Sequence, residues 1–216
     1  DINLEILTTL QGFKISGANS KDVTGISVRN AGDVNADNID DVIVGACNAS
    51  PFGRALAGVS YVIYGKPGGI LNIDLASFNS SQGFKILGST SYDRWGFDVS
   101  TAGDVNADGV DDIIIGAYYA SPLNRNQAGE SIIVYGKKGG YSFDIDLSTF
   151  KTEYGFRVLG AAENTQLGLT VSSLGDVNYD GINDVGIGAA SSSPLKFTSG
   201  NLMTTPETGS IEYLAS

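Results

Sequence analysis

The chain has 216 residues and no histidine, which excludes several kinds of chemistry. Without histidine there is no Ser-His-Asp or Cys-His nucleophilic site and no histidine-ligated metal. The single cysteine, Cys47, excludes a disulfide within the chain and, because it follows an apolar run, is expected to be a packed thiol. No apolar run reaches the roughly 18 residues of a membrane-spanning helix. The sequence therefore predicts that the chain is not an enzyme in its own right and has no membrane span.

Basic residues are also scarce. The chain has 13 Lys and Arg against 24 Asp and Glu, which gives a net charge of −11. An acidic chain without basic clusters is a poor partner for nucleic acid or an anionic membrane. Hydrophobic residues make up 42% of the chain and glycine is abundant at 29 residues, a composition typical of a globular, turn-rich protein.

One acidic stretch occurs three times. The residues GDVNADGVDDIIIGA occupy positions 103–117, and related copies occupy 32–46 and 175–189. The first Asp of each copy lies at 33, 104 and 176, so the period is 71 and then 72 residues. A fixed long period indicates a repeat architecture with one structural unit per copy.

Each copy places oxygen-bearing side chains at positions one, three, five and nine, counted from its first Asp. A tight loop can turn alternate residues toward one centre, as a hard cation with oxygen ligands requires. Position seven is apolar and could contribute only its backbone carbonyl. We predict about one Ca²⁺ per repeat, because Mg²⁺ retains its water ligands and avoids dense protein cages. The predicted ligands are Asp33, Asn35, Asp37, Ile39 and Asp41; Asp104, Asn106, Asp108, Val110 and Asp112; and Asp176, Asn178, Asp180, Ile182 and Asp184.

Two other interpretations of the acidic stretch were compared with the calcium loop. An EF-hand needs a bidentate Glu at position twelve, whereas Val44, Ile115 and Ile187 stand there. A turn of Asp, Asn and Gly without any metal is the simpler alternative, which three matching copies disfavour. Gly109 and Gly181 suit the positive φ that the loop needs, while Asn38 replaces glycine in the first copy and predicts a weaker first site.

The rest of each repeat predicts β-strands and no helix. Alternating and apolar runs indicate four short strands per repeat, the pattern of one blade of a β-propeller with antiparallel strands. We therefore predict an all-β fold with an additional outer strand at about 1–17 and repeats at about 18–88, 89–160 and 161–216. Three blades fall below the usual four to eight, so the chain is expected to be a segment of a larger ring, with a ring completed by a second chain as the alternative. The predicted strands lie at 12–17, 83–88 and 155–160; 25–28, 96–99 and 168–171; 42–46, 113–117 and 185–189; and 59–64, 131–135 and 210–214.

These motifs resemble the FG-GAP repeats of integrin α-subunit propellers and of microbial and protist surface proteins. Trp95-Gly96 and Leu167-Gly168 stand for Phe-Gly, and Thr24-Gly25 is the poorest match. The Gly-Ala-Pro end corresponds to residues 45–47, 116–118 and 188–190. The Gly-Lys-x-Gly-Gly connections at 65–69 and 136–140 are more similar to the microbial and protist members.

The resemblance implies a function as well as a fold. Family members carry Ca²⁺ on one face of the disc and engage partners on the opposite face, here the loops at 48–57, 89–94, 118–128 and 191–208. The expected function is a non-catalytic, calcium-stabilised module for protein interaction, adhesion or extracellular scaffold assembly, secreted or at the cell surface. Its expected partner is an extracellular protein or glycan, and self-association could complete the ring. A glycan-binding propeller and an accessory propeller of a larger secreted hydrolase or lyase remain alternatives.

Several other side chains were assigned roles from the sequence. The pairs Asp40/Asp41 and Asp111/Asp112 mimic an acid–base couple, but ligation explains one member of each and solvent exposure the other. Trp95 is expected in the core. The asparagines of two glycosylation sequons, Asn48 and Asn79, fit an extracellular glycoprotein. Tyr118 and Tyr119 are candidates for a ligand platform, Tyr64 and Tyr135 for structural roles, and Arg54 and Arg125 for partner contact or solvated surface charge.

Overall fold

The computed structural model describes residue 7 and residues 11–190, together with the backbone of residues 195–198, 201–204 and 210–214. Within these ranges the fold is all-β: sixteen strands and five short 3₁₀ turns, without an α-helix. The strands are β1 (Ile15–Ser16), β2 (Thr24–Gly32), β3 (Asp41–Ala46), β4 (Val59–Ile63), β5 (Ile73–Asp74), β6 (Gly83–Leu87), β7 (Val99–Gly103), β8 (Asp112–Ala117), β9 (Glu130–Val134), β10 (Ile145–Asp146), β11 (Gly155–Leu159), β12 (Leu167–Gly175), β13 (Asp184–Ala189), β14 (Leu195–Thr198), β15 (Asn201–Thr204) and β16 (Ser210–Leu214). The 3₁₀ turns are Pro51–Gly53, Leu75–Ser77, Pro122–Asn124, Leu147–Thr149 and Thr152–Tyr154.

The strands form successive antiparallel sheets, one per repeat. The first sheet has the order β2-β3-β4-β6 and the second β7-β8-β9-β11, which is the up-and-down order of a propeller blade. The third has the order β12-β13-β16, and β14 pairs with β15 in a separate hairpin. The predicted all-β propeller fold is therefore confirmed, and the sheets of the described residues do not close into a ring. The predicted extra strand at 1–17 and the loop at 191–208 lie partly outside the described residues.

A short strand in the connection between the last two strands of a blade pairs with the outer strand that precedes that blade. β5 pairs in parallel with β1, and β10 pairs in parallel with β6, with Ile145 opposite Ile86. Ile73 and Ile145 are 5% and 2% exposed, so the connection also buries an apolar side chain. β1 thus has the register of an outer strand that precedes the first blade.

The largest hydrophobic cluster of the described residues lies between the first and second blades. Val62 and Phe84 of the first blade share a buried cluster with Trp95 and with Ile113 and Ile132 of the second. Trp95 is completely buried and donates from Nε1 to Ser89 Oγ at 3.2 Å, which confirms its predicted core position. Cys47 is buried at 3% exposure, as expected for a packed thiol.

Two glycines of the repeat allow the blades to approach each other. A Cβ on Gly45 would lie 2.0 Å from the carbonyl oxygen of Gly96, and a Cβ on Gly116 would lie 2.0 Å from that of Gly168. Gly96 and Gly168 also have positive φ values of 80° and 84°. The pattern of Phe-Gly followed by Gly-Ala therefore has a steric cause: backbone packs on backbone at each junction between blades.

One face of the first blade is not covered by a neighbouring blade of the described residues. Val28 is 46% exposed, whereas its equivalents Val99 and Val171 are 0% and 6% exposed. All three valines occupy the same position of the inner strand. Val99 and Val171 lie in blades that follow another blade in the chain, whereas Val28 lies in the first blade. The difference in burial indicates that the first blade exposes a surface that the second and third blades bury.

Candidate functional site

The three acidic loops occupy equivalent positions in the three blades. Each connects the innermost strand of its blade to the next strand, from β2 to β3, β7 to β8 and β12 to β13. In antiparallel blades these turns all lie at one end of the strands, and the β3–β4 and β8–β9 loops lie at the opposite end. The structure thus separates the acidic loops from the predicted partner loops.

The first Asp of every loop organises the backbone of that loop. Its two carboxylate oxygens accept hydrogen bonds from the N–H groups at positions five and six, and the Asp at position five accepts one from position seven. In the second loop Asp104 accepts from Asp108 and Gly109 at 3.0 and 2.8 Å, and Asp108 accepts from Val110 at 2.9 Å. The first and third loops repeat all three hydrogen bonds at 2.7–3.0 Å.

The Asp at position nine is the most buried member of each loop. Asp41, Asp112 and Asp184 are at most 1% exposed. Asp112 accepts from the N–H groups of Val105 and Gly136 at 2.9 and 2.8 Å, and the corresponding distances at Asp41 are 3.0 and 2.7 Å. The pKa of both Asp41 and Asp112 is raised to about 7, mainly by burial; the two backbone hydrogen bonds lower the pKa and the neighbouring loop carboxylates raise it. A nearby cation would favour the charged form of these buried carboxylates.

The Asn at position three differs between the loops. Asn106 and Asn178 donate from Nδ2 to the Asp at position five, at 2.9 and 2.7 Å. Asn35 is buried at 7% exposure, and its Oδ1 has no hydrogen-bond partner. A buried acceptor without a donor is destabilising unless an ion or water satisfies it, so this oxygen is available as a cation ligand.

The donor set fits a hard cation in chemical type, because every side-chain donor is oxygen. In the part of the chain that the structure describes, however, no three His, Cys, Asp or Glu side chains are grouped so that they could hold a metal ion. The carboxylates at positions one and five instead bind backbone N–H groups. Each carboxylate has about four acceptor positions, so two hydrogen bonds leave capacity for a cation.

The backbone of the loops agrees with the expectation at position six and adds a feature at position four. Asn38, Gly109 and Gly181 have φ values of 67°, 84° and 91°, so Asn38 adopts the conformation that glycine adopts in the other copies. Position four is also left-handed in every loop, although no glycine occupies it: Ala36, Ala107 and Tyr179 have φ values of 58°, 58° and 66°. Residue type gave no signal for this second left-handed position.

Position eight connects the loops of adjacent blades, a role that the sequence interpretation missed. Asp111 was expected to be solvent exposed, but its Oδ2 accepts from the backbone N–H of Asp33 at 2.9 Å, and its own N–H donates to Asp33 O at 3.3 Å. Asn183 repeats the second contact by donating its N–H to Asp104 O at 3.4 Å. Asp40, in the first blade, is exposed as expected and accepts from Asn30 Nδ2 at 3.1 Å.

The hydrogen bonds of Asp111 and Asp112 also bear on the acid–base interpretation of the paired carboxylates. Asp111 is bonded to the loop of the preceding blade, while Asp112 is bonded to backbone groups of its own blade. The two carboxylates therefore bind different partners, which does not support their interpretation as an acid–base couple.

The opposite end of the blades carries the loops that the resemblance assigned to partner binding. The β3–β4 and β8–β9 loops differ in sequence but share a backbone: each begins with a Ser-Pro 3₁₀ turn and presents an apolar residue with positive φ. These residues are Phe52 and Leu123, which are 79% and 72% exposed. Tyr92 of the β6–β7 loop is also exposed, at 61%. The N–H of Tyr92 donates to Ala55 O at 2.8 Å, so the β6–β7 loop packs on the β3–β4 loop.

Two arginines at this end have different surroundings from those expected. Arg54 is not a solvated charge: its Nη1 lies 2.8 Å from Asp146 Oδ1 of the second repeat, and both side chains are mostly buried. The Nε atom of Arg125 is buried without a partner. Tyr118 and Tyr119 pack edge to face with their ring centroids 4.5 Å apart, and Arg94 lies over the Tyr119 ring at 5.1 Å. Arg54 therefore connects two repeats.

Fold and loops together define the class of protein: β-propeller blades with an Asp-rich loop on the inner hairpin of each. Residues 95–134 match the family model of the FG-GAP repeat. The chain is 29% identical over 160 residues to integrin alpha pat-2 of Caenorhabditis elegans, a match that covers 73% of this chain and 12% of the relative. It is 29% identical over 167 residues to integrin alpha-PS2 of Drosophila melanogaster, covering 76% and 10%.

A third relative is of a different kind. Phosphatidylinositol-glycan-specific phospholipase D of Bos taurus is 33% identical over 108 residues, covering 50% of this chain and 13% of the relative. The chain thus spans 10–13% of the length of these three relatives. The matched repeat and the integrin relatives show that the chain is similar to FG-GAP-repeat, integrin α-like β-propellers. Among the described residues, no helix is long and apolar enough to cross a membrane.

Proposed function

We propose that the chain is a calcium-stabilised, extracellular β-propeller module that mediates protein interaction or adhesion and has no catalytic role. The observation that carries the proposal is the threefold repetition of one loop, with the same hydrogen bonds, in a chain similar to integrin α-subunits. The integrin relatives support the extracellular setting. A non-catalytic role agrees with the absence of histidine and with the separate partners of Asp111 and Asp112.

The calcium ligands would come from positions one, three, five, seven and nine of each loop. Three carboxylates in one loop repel one another, and a bound divalent cation would offset that repulsion. The raised pKa of Asp41 and Asp112 and the unpartnered Oδ1 of Asn35 support this assignment. Position seven would offer its backbone carbonyl, because the side chains of Ile39 and Val110 pack beside Gly65 and Gly136.

The partner surface would lie at the end opposite the acidic loops. Phe52, Tyr92 and Leu123 are large apolar side chains that this end exposes to solvent, and such side chains are typical anchors of protein interfaces. The expected partner is an extracellular protein, with an extracellular glycan as the alternative. Adhesion through this surface would depend on calcium only indirectly, through the stability of the blades.

A binding assay on immobilised chain tests this assignment. Collagen, fibronectin, laminin and whole cells would be applied in calcium to the wild type and to a variant with Phe52, Tyr92 and Leu123 changed to Ser. We expect binding of at least one probe to fall about tenfold in the variant, since a few exposed anchors dominate most interfaces. The matched control is Leu71→Ser, whose side chain is 72% exposed at the other end of the blade. Binding that the triple variant retains, or that the control abolishes, would contradict the proposed surface.

We further propose that the exposed face of the first blade is covered by another blade of the same polypeptide. The contrast between exposed Val28 and buried Val99 supports this arrangement. A second copy of the chain is the alternative. Sedimentation equilibrium distinguishes the two arrangements. We expect a monomer; a dimer that the substitution Val28→Arg dissociates would favour the second copy.

An accessory role in a larger secreted enzyme is the second candidate function. The similarity to the bovine phospholipase D favours it, and so do blades that could fold beside a catalytic domain. The full reading frame tests this candidate. An accessory role requires a catalytic domain elsewhere in the polypeptide, whereas an adhesion module does not.

A further inference from the structure

A pocket in the second repeat combines aromatic rings with charged groups. It has a volume of about 560 Å³, within the range of small-molecule sites. It lies between the second acidic loop and the connection that leads from β9 to β11. Its walls are Asn106, Asp108, Tyr135, Gly136, Lys137, Tyr141, Phe143, Glu153 and Tyr154.

The first repeat builds the same scaffold without the aromatic wall. Tyr64 and Tyr135 are equivalent, and their backbone N–H groups donate to Gln82 O and Tyr154 O at 2.8 and 2.9 Å. Asn72 and Asp144 are also equivalent, because each side chain accepts from the backbone of an outer strand, at 2.8 and 2.9 Å. These anchors align Ile70, Leu71 and Gln82 of the first repeat with Tyr141, Phe143 and Tyr154 of the second. Three aromatic side chains are therefore present in the second repeat and absent from the first.

The three rings form a continuous wall. Their centroids are 5.7 Å apart for Tyr141 and Phe143, 6.0 Å for Tyr141 and Tyr154, and 5.9 Å for Phe143 and Tyr154. Tyr141 is 4% exposed and donates from its hydroxyl to Tyr135 O at 3.0 Å, so it belongs to the core. Phe143 is 44% exposed, and Tyr154 is half-buried. The solvent-facing part of the wall is thus Phe143 with Tyr154.

The charged groups around the wall are of mixed sign. Asp108, which is also a predicted calcium ligand, is negative, Glu153 is ion-paired with Lys151 at 3.3 Å, and Lys137 Nζ lies 5.5 Å from the centre of the Tyr141 ring. Such a balance of charge favours neither an anion nor an organic cation. A flat apolar molecule would remove these charges from water without replacing their hydrogen bonds. A neutral pyranose has an apolar face of C–H groups for the rings and an edge of hydroxyl groups for the carboxylates and the ammonium. We propose that this pocket binds a neutral sugar ring packed in the angle between Phe143 and Tyr154, whose ring planes are inclined at 60°.

The site differs in place and in chemistry from the partner surface of the preceding section. It lies within one repeat, beside the acidic loop, whereas Phe52, Tyr92 and Leu123 lie at the opposite end of the blades. Its recognition groups, Phe143, Tyr154, Glu153 and Lys137, are not among the predicted calcium ligands.

The test is titration of the whole chain, in calcium, with the methyl glycosides of glucose, galactose, mannose and N-acetylglucosamine. Binding is followed by saturation-transfer NMR and by chemical shifts of Tyr and Phe ring protons. At least one glycoside is expected to bind at millimolar concentration, to receive saturation on its C–H face and to bind about tenfold more weakly in Phe143→Ala. Glu153→Gln is expected to weaken binding without changing the melting temperature. The matched control is Leu71→Ala, an exposed side chain at the aligned position of the first repeat.

Three outcomes would overturn the proposal: no glycoside binds, binding survives Phe143→Ala, or tetramethylammonium or indole binds where the glycosides do not. Asp33→Asn separates this test from the calcium proposal, because Asp33 belongs to the first acidic loop and lines no part of the pocket. Loss of a calcium site in that variant with unchanged sugar binding is the expected result. Sugar binding that disappears with Asp33→Asn while the fold is retained would contradict an autonomous site in the second repeat.

Discussion

Replacement of Gly116 by Ala tests whether backbone contact between blades determines the glycine pattern of the repeat. The new Cβ would lie 2.0 Å from Gly168 O and 2.9 Å from Gly168 C. An ordinary carbon–oxygen contact is about 3.3 Å or more, so the two blades must separate by about 1.3 Å or distort. Overpacking of a tight interior costs about 1–3 kcal/mol and occasionally more, and here the obstacle is backbone rather than a mobile side chain. We expect a loss of about 3 kcal/mol in the free energy of unfolding.

The third repeat supplies a matched control. Gly188 occupies the same strand position as Gly116, but a Cβ there meets the side chain of Thr170, with Oγ1 at 2.3 Å and Cβ at 3.6 Å. Rotation of that side chain relieves the contact, and alanine is intrinsically better than glycine in a strand. Gly188→Ala is therefore expected to change the free energy of unfolding by about 1 kcal/mol or less.

Urea and thermal unfolding, followed by circular dichroism, measure both variants. A loss of about 3 kcal/mol corresponds to a fall of about 6–12 °C in melting temperature for a chain of this length. Gly45→Ala, whose Cβ would meet Gly96 O at 2.0 Å, is expected to match Gly116→Ala. If Gly116→Ala unfolds like the wild type, or if Gly188→Ala is as damaging, blade-to-blade backbone contact does not explain these glycines.

Two further substitutions test contacts between repeats. Arg54→Ala removes the 2.8 Å ion pair with Asp146 and leaves that mostly buried carboxylate without its cation. We therefore expect the free energy of unfolding, measured in urea, to fall by about 1–2 kcal/mol. An unchanged midpoint would mean that the pair contributes nothing. Tyr64→Phe removes the hydroxyl that accepts from the N–H of Tyr141 at 2.8 Å, and we expect a loss of about 1–2 kcal/mol with an unchanged m-value, whereas a neutral result would show that water replaces the hydroxyl.

The period of the sequence predicted most of the fold, because each repeat carries its own strand and turn signals. The apolar runs at 42–46, 113–117 and 185–189 became β3, β8 and β13, each extended by its preceding Asp. Trp95 was predicted to lie in the core because it stands at the Phe position of the FG-GAP pattern. Local patterns of this kind depend on neighbours in the chain, and a single sequence contains them.

Contacts between blades were predicted less well, since they join residues about 70–90 positions apart. Asp111 and Arg54 look like surface charges in the sequence, yet each binds a neighbouring repeat. The parallel pair of Ile73 with Ile15 was not predicted. The partner of such a residue depends on how blades stack, which no local pattern encodes.

The aromatic pocket was missed for a related reason. Tyr141, Phe143 and Tyr154 lie in a connection outside the repeated strands, so the search for repeated motifs passed over them. The folded connection brings the three rings within 5.7–6.0 Å of one another, which no pattern in the sequence indicates. The acidic loops show the opposite case: their residues were identified correctly as a repeated set, and their ligation of calcium remains a prediction.

Thermal unfolding of the chain in calcium and in excess chelator tests the central claim most directly. Mass action adds about 2.7 kcal/mol for each site at a calcium concentration 100 times its dissociation constant, so three filled loops should raise the melting temperature by many degrees. Magnesium at the same concentration should raise it much less, because it retains its water ligands. The account predicts a melting temperature that rises with calcium and falls in chelator. The same melting temperature in both solutions would contradict it.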